Sequence, residues 1–263
     1  MPERTSYAHG TPSWTDLSTT DVAGAKAFYG GVFGWEAQDQ PTDQGVDYTM
    51  FTKNGKAVAG AGPQPPDMAA QGVPSMWNTY LAVDNVDEAA EKVKASGGGV
   101  VMEPMDVMSA GRMAFVTDPT GAAVGLWQAG DHKGAELVNE PGSMAWNELV
   151  TDDTAAAQKF YGDAFGFGAQ TDETPNGPYT SFKVGDKQVA GMIPKNENMG
   201  PIPNYWGSYF AVDDCDGCIE TAKELGGRVL MDAFDIPEVG RMAVLQDPQG
   251  ATFSVIKLAN PGQ

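Results

Sequence analysis

At 263 residues the chain is long enough for two ordinary domains, and its 41% hydrophobic content is sufficient to fill a core. A formal charge of −19 repels phosphate backbones and anionic lipid, so nucleic acid and membrane surfaces are not expected partners. No run approaches the roughly 18 apolar residues of a membrane helix, and "MPERTSYAHGTPSW" lacks the apolar stretch of a signal peptide; the expectation is a cytoplasmic protein, with non-classical export left open.

In chain order, "SWTDLST" alternates like a strand, and Asp21 then reads as the N-cap of a helix with Val22, Ala25, Phe28, Val32 and Phe33 at helical spacing. "DYTMFTKNG" and "KAVAGAGP" read as strand, turn and strand. Next come a strand, "NTYLAV", and a helix, "VDEAAEKVKASGG", that ends in glycines. The strands "VVMEPMDV", "GRMAFVTD" and "AAVGLWQ" follow. The last two are joined by Asp-Pro-Thr-Gly, where Pro119 presets φ and Gly121 can take φ > 0, so they form a hairpin.

The order then repeats. "TTDVAGAKAFYGGVFGWEAQ" from Thr19 is echoed by "TDDTAAAQKFYGDAFGFGAQ" from Thr151. "WNTYLAVDNVDEA" from Trp77 is echoed by "WGSYFAVDDCDGC" from Trp206, and "GRMAFVTDPTG" from Gly111 by "GRMAVLQDPQG" from Gly240. The expected layout is a first module at 1–130, a linker at 131–142 and a second module at 143–263. The fold expected is α+β, with βαβββ motifs at 12–62, 76–128, 144–193 and 205–257.

The only cysteines, Cys215 and Cys218, form a CxxC that raises redox and metal readings. Val86 and Ala89 hold the same places in the first half, which favours a buried helix stripe. Two thiols do not complete a four-ligand zinc site.

The pattern D-x-x-x-A-x-x-FY-x-x-x-FG from Asp21, followed by DP-x-G before a last strand, resembles the vicinal oxygen chelate superfamily. That superfamily includes glyoxalase I, extradiol dioxygenases, fosfomycin-resistance enzymes and bleomycin-binding proteins. The doubled layout is similar to its actinobacterial tandem-module type. The resemblance implies that paired motifs curl their mixed sheets into two cups. It also implies a metal at the base of each, held by residues of the first and last strands, most often a His and a Glu.

Carried over to this sequence, those ligand positions fall on Trp14, Asn78, Gly125 and near Gly60 in one module. In the other they fall on Trp146, Gly207, Ser254 and near Gly191. Neither set offers the oxygen and imidazole donors a divalent ion needs. His9 and His132 lie outside the predicted strands and are expected in solvent. No metal cofactor is therefore expected, with a metal on unusual ligands left open, and the glycines are expected to leave room where the ion would sit.

Strand period sets the cup linings. Trp14, Asp16, Asn78, Tyr80 and Trp127 should line one cup, and Trp146, Glu148, Tyr209, Ser254 and Ile256 the other. Thr15, Leu17, Asn147 and Leu149 should face away. Aromatic walls with few polar groups suit a small organic ligand, with Trp14, Asn78, Tyr80, Trp127, Trp146, Tyr209 and Ser254 in contact with it. Asp16 and Glu148 are the candidate acid/base residues. The alternatives are tryptophans that only fill closed barrels and carboxylates at a solvated rim. Arg112 and Arg241 could anchor an anion or pair with the surplus carboxylates.

Two functions remain from the sequence. One is a metal-free protein that sequesters or transforms an aromatic, antibiotic-like or carbonyl compound. The other is an enzyme, either a glyoxalase-like lyase or hydroxylase type using Asp16 and Glu148, or a metal enzyme with unusual ligands. With both cups in one chain, a monomer is expected.

Overall fold

The structure is a computed structural model that describes residues 3–43 and 45–260. The first module runs β1 (Pro12–Thr19), α1 (Val22–Phe33), β2 (Glu36–Pro41), β3 (Asp47–Lys53), β4 (Lys56–Pro63) and a short α2 (Pro66–Ala70). It continues with β5 (Met76–Ala82), α3 (Val86–Ala95), β6 (Gly99–Val107), β7 (Gly111–Thr117) and β8 (Ala123–Ala129). The second runs β9 (Met144–Thr151), α4 (Thr154–Phe165), β10 (Gly168–Thr174), β11 (Gly177–Val184) and β12 (Lys187–Pro194). After a short 3-10 turn come β13 (Tyr205–Ala211), α5 (Cys215–Glu224), β14 (Arg228–Ile236), β15 (Gly240–Gln246) and β16 (Thr252–Leu258).

Each module folds into its own curled eight-stranded sheet, ordered β2-β3-β4-β1-β5-β8-β7-β6 and β10-β11-β12-β9-β13-β16-β15-β14. The sheets are mixed: β1 runs parallel to β4 and β5 to β8, while β1 and β5 join antiparallel at the centre. The fold is the α+β pair of cups expected, each built of two βαβββ motifs, with the short α2 added. The edge strands β2 and β10 are exposed at every residue, so they carry no alternation that would mark them. The helix α2 has no apolar period at all.

Local chemistry accounts for the helix ends. Asp21 accepts from the Gly24 amide at 2.9 Å, and Asp153 from the Ala156 amide at 2.9 Å. Gly34 and Gly166 close α1 and α4 in the left-handed conformation, with φ of 68° and 72°.

The two sheets pack through their helix-bearing faces, so each core is shared between modules. Phe28, Tyr29, Phe33 and Trp35 of the first module pack with Phe210, Ile219, Leu245 and Phe253 of the second. Leu81, Val86 and Leu126 pack with Phe160, Tyr161 and Trp206 in the mirrored cluster. At the seam a small polar layer is satisfied internally. Thr15 and Ser208 share a hydrogen bond of 2.8 Å, and Asn147 donates to Thr79 at 2.9 Å.

The doubled Asp-Pro-x-Gly phrase makes the hairpins expected and also reaches across the seam. Asp118 Oδ1 accepts from the amides of Thr120 (2.8 Å) and Ala122 (3.1 Å), and its Oδ2 accepts from Tyr161 of the other module at 3.1 Å. Asp247 does the same for Gln249, Ala251 and Tyr29, the last at 2.9 Å. Trp206 and Trp77 donate to the two phenols at 2.8 and 2.9 Å.

Cys215 and Cys218 are free thiols buried in the shared core on α5. Burial pushes the two thiols up to about 11 and about 12, the opposite of an activated thiolate. The native protein is expected to resist iodoacetamide at pH 8 and to take up two carbamidomethyl groups only in denaturant. Rapid native labelling, read by intact mass, would contradict the filler role.

Candidate functional site

The register of the central strands builds the floor of each cup. Asp16 lies between Gly60 on β4 and Asn78 on β5, and Trp14 lies opposite Tyr80, which itself pairs with Gly125. Glu148 likewise lies between Gly191 and Gly207, and Trp146 opposite Tyr209, beside Ser254. The structure therefore gathers each set of predicted residues on one face, centred on a carboxyl group.

In the first cup Asp16 Oδ1 accepts from Asn78 Nδ2 at 2.9 Å, and Oδ2 accepts from the hydroxyls of Tyr80 (2.9 Å) and Tyr48 (3.3 Å). Trp14 Nε1 donates in turn to the Tyr48 hydroxyl at 3.0 Å. In the second cup Tyr209 donates to Glu148 Oε1 at 2.6 Å, and the Tyr179 hydroxyl lies close enough to this carboxylate to favour its charged form. Trp146 Nε1 donates to the Tyr179 hydroxyl at 2.9 Å. Each cup thus carries an indole–phenol–carboxyl relay. Its middle members, Tyr48 and Tyr179, were not read from the sequence. The signal was present, since "YTMF" and "YTSF" occupy the same place in both modules.

These tyrosines correct the expectation that the glycines leave a vacancy. A methyl group at Gly60 would collide with the Tyr48 hydroxyl, at Gly191 with the Tyr179 hydroxyl, and at Gly125 with the Tyr80 ring. The missing side chains make room for phenols. The donor set does not fit a metal ion. Trp14, Gly60, Asn78 and Gly125 offer one amide oxygen between them, and the single carboxylate of each cup is already held by phenol donors. Among the described residues, no group of three or more His, Cys, Asp and Glu side chains gathers to hold an ion.

The electrostatics follow from this burial. Desolvation raises both Asp16 and Glu148 above the ordinary carboxylic range, against the opposing pull of their hydrogen-bond donors. Glu148 is only 7% exposed, which removes it from a solvated rim. Asp16 retains partial exposure. Arg112 is committed to Asp87 and Asp106, and Arg241 to Asp216 and Asp235, so neither arginine serves as a cup anion anchor.

His132 is not in solvent. Its ring stands edge-on to Trp14 at 4.4 Å and to Trp127 at 5.7 Å, and Trp127 Nε1 donates to its carbonyl at 3.0 Å. Burial pushes its imidazole down to about 4, and its Nε2 has no partner among the described residues. Together with Ala135 and Val138 it walls the first cup, where Trp14, Tyr80 and Trp127 are 4%, 5% and 7% exposed. The second cup differs, because Trp146, Tyr179, Tyr205 and Tyr209 all remain half-buried, over a buried Ser254.

Comparison with known proteins agrees with this architecture. The family model described as "Glyoxalase/Bleomycin resistance protein/Dioxygenase superfamily" matches residues 11–126 and 143–255. The chain is 50% identical over 261 residues to "Putative glyoxylase CFP32" of Mycobacterium bovis, covering 98% of this chain and 99% of that protein. It is 39% identical to "Anthracycline biosynthesis protein DnrV" of Streptomyces peucetius over 97% of this chain and 95% of the relative. Among solved structures, the Mn(II)-bound glyoxalase of Novosphingobium aromaticivorans superposes with a TM-score of 0.63 at 15% identity. That superposition covers 96% of this chain and 85% of the glyoxalase and speaks to the fold alone. Among the described residues no helix is long and apolar enough to cross a membrane.

Proposed function

The chain belongs to the glyoxalase/bleomycin resistance protein/dioxygenase superfamily, and from that membership we propose that it binds a small aromatic, antibiotic-like or carbonyl compound in its cups without a metal. The carrying observation is the carboxyl group on the floor of each cup, held by tyrosine hydroxyls that in turn take a tryptophan N–H. Flat rings supply the apolar area that holds a small ligand, and a few fixed polar groups orient it. A relative named for anthracycline biosynthesis supports a flat, polyketide-type ligand. Both cups lie within one chain, which supports a monomer as the working unit.

One observation favours a second reading, in which the bound compound is also transformed. Glu148 has a raised proton affinity and phenol donors fixed against it. Such a carboxylate can take a proton from a carbon beside a carbonyl and return it to the neighbouring oxygen or carbon. The phenols then hold the carboxyl in place through both steps.

Native mass spectrometry of untagged protein, purified without chelators, tests the binding reading. The expected spectrum is an apo mass, or one raised by an organic molecule that also names the compound class. An excess matching a divalent ion, with loss of that ion abolishing ligand binding, would overturn the metal-free reading.

A further inference from the structure

The two cups are unequal at one matched position. Asn78 and Gly207 stand at the same place in the repeat, each paired across the sheet with the cup carboxylate. In the first cup the Asn78 amide completes the shell of Asp16, so both carboxylate oxygens are engaged. In the second cup Gly207 supplies no amide, and only phenols reach Glu148. Glu148 therefore lacks the side-chain amide donor that Asp16 has, and keeps an acceptor site where Asn78 occupies one on Asp16.

Tyr205 stands over this opening. It lies two residues before Gly207 on the same face of β13, and its ring would be 3.3 Å from a methyl group at Gly207. It is half-buried, feels the Glu148 charge, and its hydroxyl has no hydrogen-bond partner among the described residues. The first cup has Met76 at this position and is walled by His132, Ala135 and Val138. Its Trp14, Tyr80 and Trp127 are buried against His132 and Phe115, whereas Trp146 and Tyr209, the counterparts of the first two, keep exposed surface.

We propose that the second cup alone takes the ligand, a flat aromatic whose phenolic O–H is given to Glu148 where Asn78 reaches Asp16 in the first cup. Tyr205 is the ring that covers it and offers the ligand a second polar contact. The first cup is a structural copy whose tryptophan wall is covered by the linker residues His132, Ala135 and Val138. This deepens the binding reading above and rests on it.

Two measurements on the wild-type chain avoid any question of folding. Native mass spectrometry with 1,2-dihydroxyanthraquinone is expected to show one molecule per chain. Tryptophan quenching is expected to give the dimethyl ether of the same compound an affinity about tenfold weaker or less, because the ether has no O–H to donate. Gly207→Asn, which places the Asn78 amide in the second cup, is expected to abolish binding, and Tyr205→Ala to weaken it. Two molecules per chain, equal affinity for the ether, or undiminished binding by folded Gly207→Asn would each overturn this inference and leave the general binding reading intact. Failure of both compounds to bind at any concentration below their solubility overturns this inference, whereas the general binding reading falls to the divalent-ion outcome given above.

Discussion

Asp118→Ala is expected to destabilise the protein by about 3–5 kcal/mol, among the largest costs of any single change outside the cups. The carboxylate is buried and receives the Thr120 and Ala122 amides, the Thr120 hydroxyl and the Tyr161 hydroxyl. Its removal opens the hairpin turn and leaves a buried phenol and a buried amide unpaired, at about 1–3 kcal/mol each. Tyr161→Phe, which removes one hydroxyl but keeps the ring, should cost less, about 1–2 kcal/mol. It still strands Trp206 Nε1, which donates to that hydroxyl at 2.8 Å.

Because Asp118 and Tyr161 belong to different modules, as do Asp247 and Tyr29, the damage should not stay local. Urea unfolding followed by tryptophan fluorescence and by circular dichroism should give one coincident transition in the wild type. In Asp118→Ala that transition should shift to lower denaturant, with Tm lowered by about 10 °C. A loss below about 1 kcal/mol would mean that the clamp adds nothing to the shared core.

What the sequence could tell was set by whether the relevant physics is local. Strand period places Trp14, Asp16, Asn78 and Tyr80 on one face, and the register of β1 and β5 has them there. The helix cap at Asp21 is local chemistry and is visible as such, and Asp153 caps α4 at the matching place in the repeat. The turn phrase was legible as a hairpin but not as a clamp, because its partner tyrosines lie in the other half of the chain. The same limit hid His132, whose polar neighbours suggest solvent and whose ring lies between two tryptophans. Tyr48 and Tyr179 escape a strand-by-strand reading because a glycine in the sequence marks space without showing what fills it. Only the three-dimensional approach of β3 to β4, and of β11 to β12, shows what fills it. The strands β2 and β10 had no pattern to detect, being exposed throughout.

Glu148→Gln is expected to separate binding from chemistry. On the acid–base reading it should lower turnover of the compound recovered from the protein by about 10²–10⁴-fold, because an amide cannot take up or deliver the proton. Ligand affinity should change far less, since the amide oxygen still accepts. Asp16→Asn should change turnover less than about tenfold, the tryptophan wall of its cup being covered by the linker and its carboxylate held by three donors. Equal turnover in Glu148→Gln and wild type would end the acid–base reading and leave a binder.

The same variant carries a stability signature whose sign is fixed by the burial of Glu148. Its folded-state proton affinity is raised above the ordinary value of 4.5, so folding favours the protonated form. That contribution is fully present below pH 4.5 and is lost as pH rises through the raised value, so above that range the burial of Glu148 costs the wild type stability. Glu148→Gln should therefore melt above the wild type at pH 7.5, with the gap closing as the pH falls towards 4.5. Asp16→Asn should behave in the same direction, closing towards its ordinary value of 3.8. A gap that does not change with pH would mean that the phenol donors fully offset the desolvation. Glu148 would then titrate as an ordinary carboxylate, too acidic to serve as a proton carrier near neutrality.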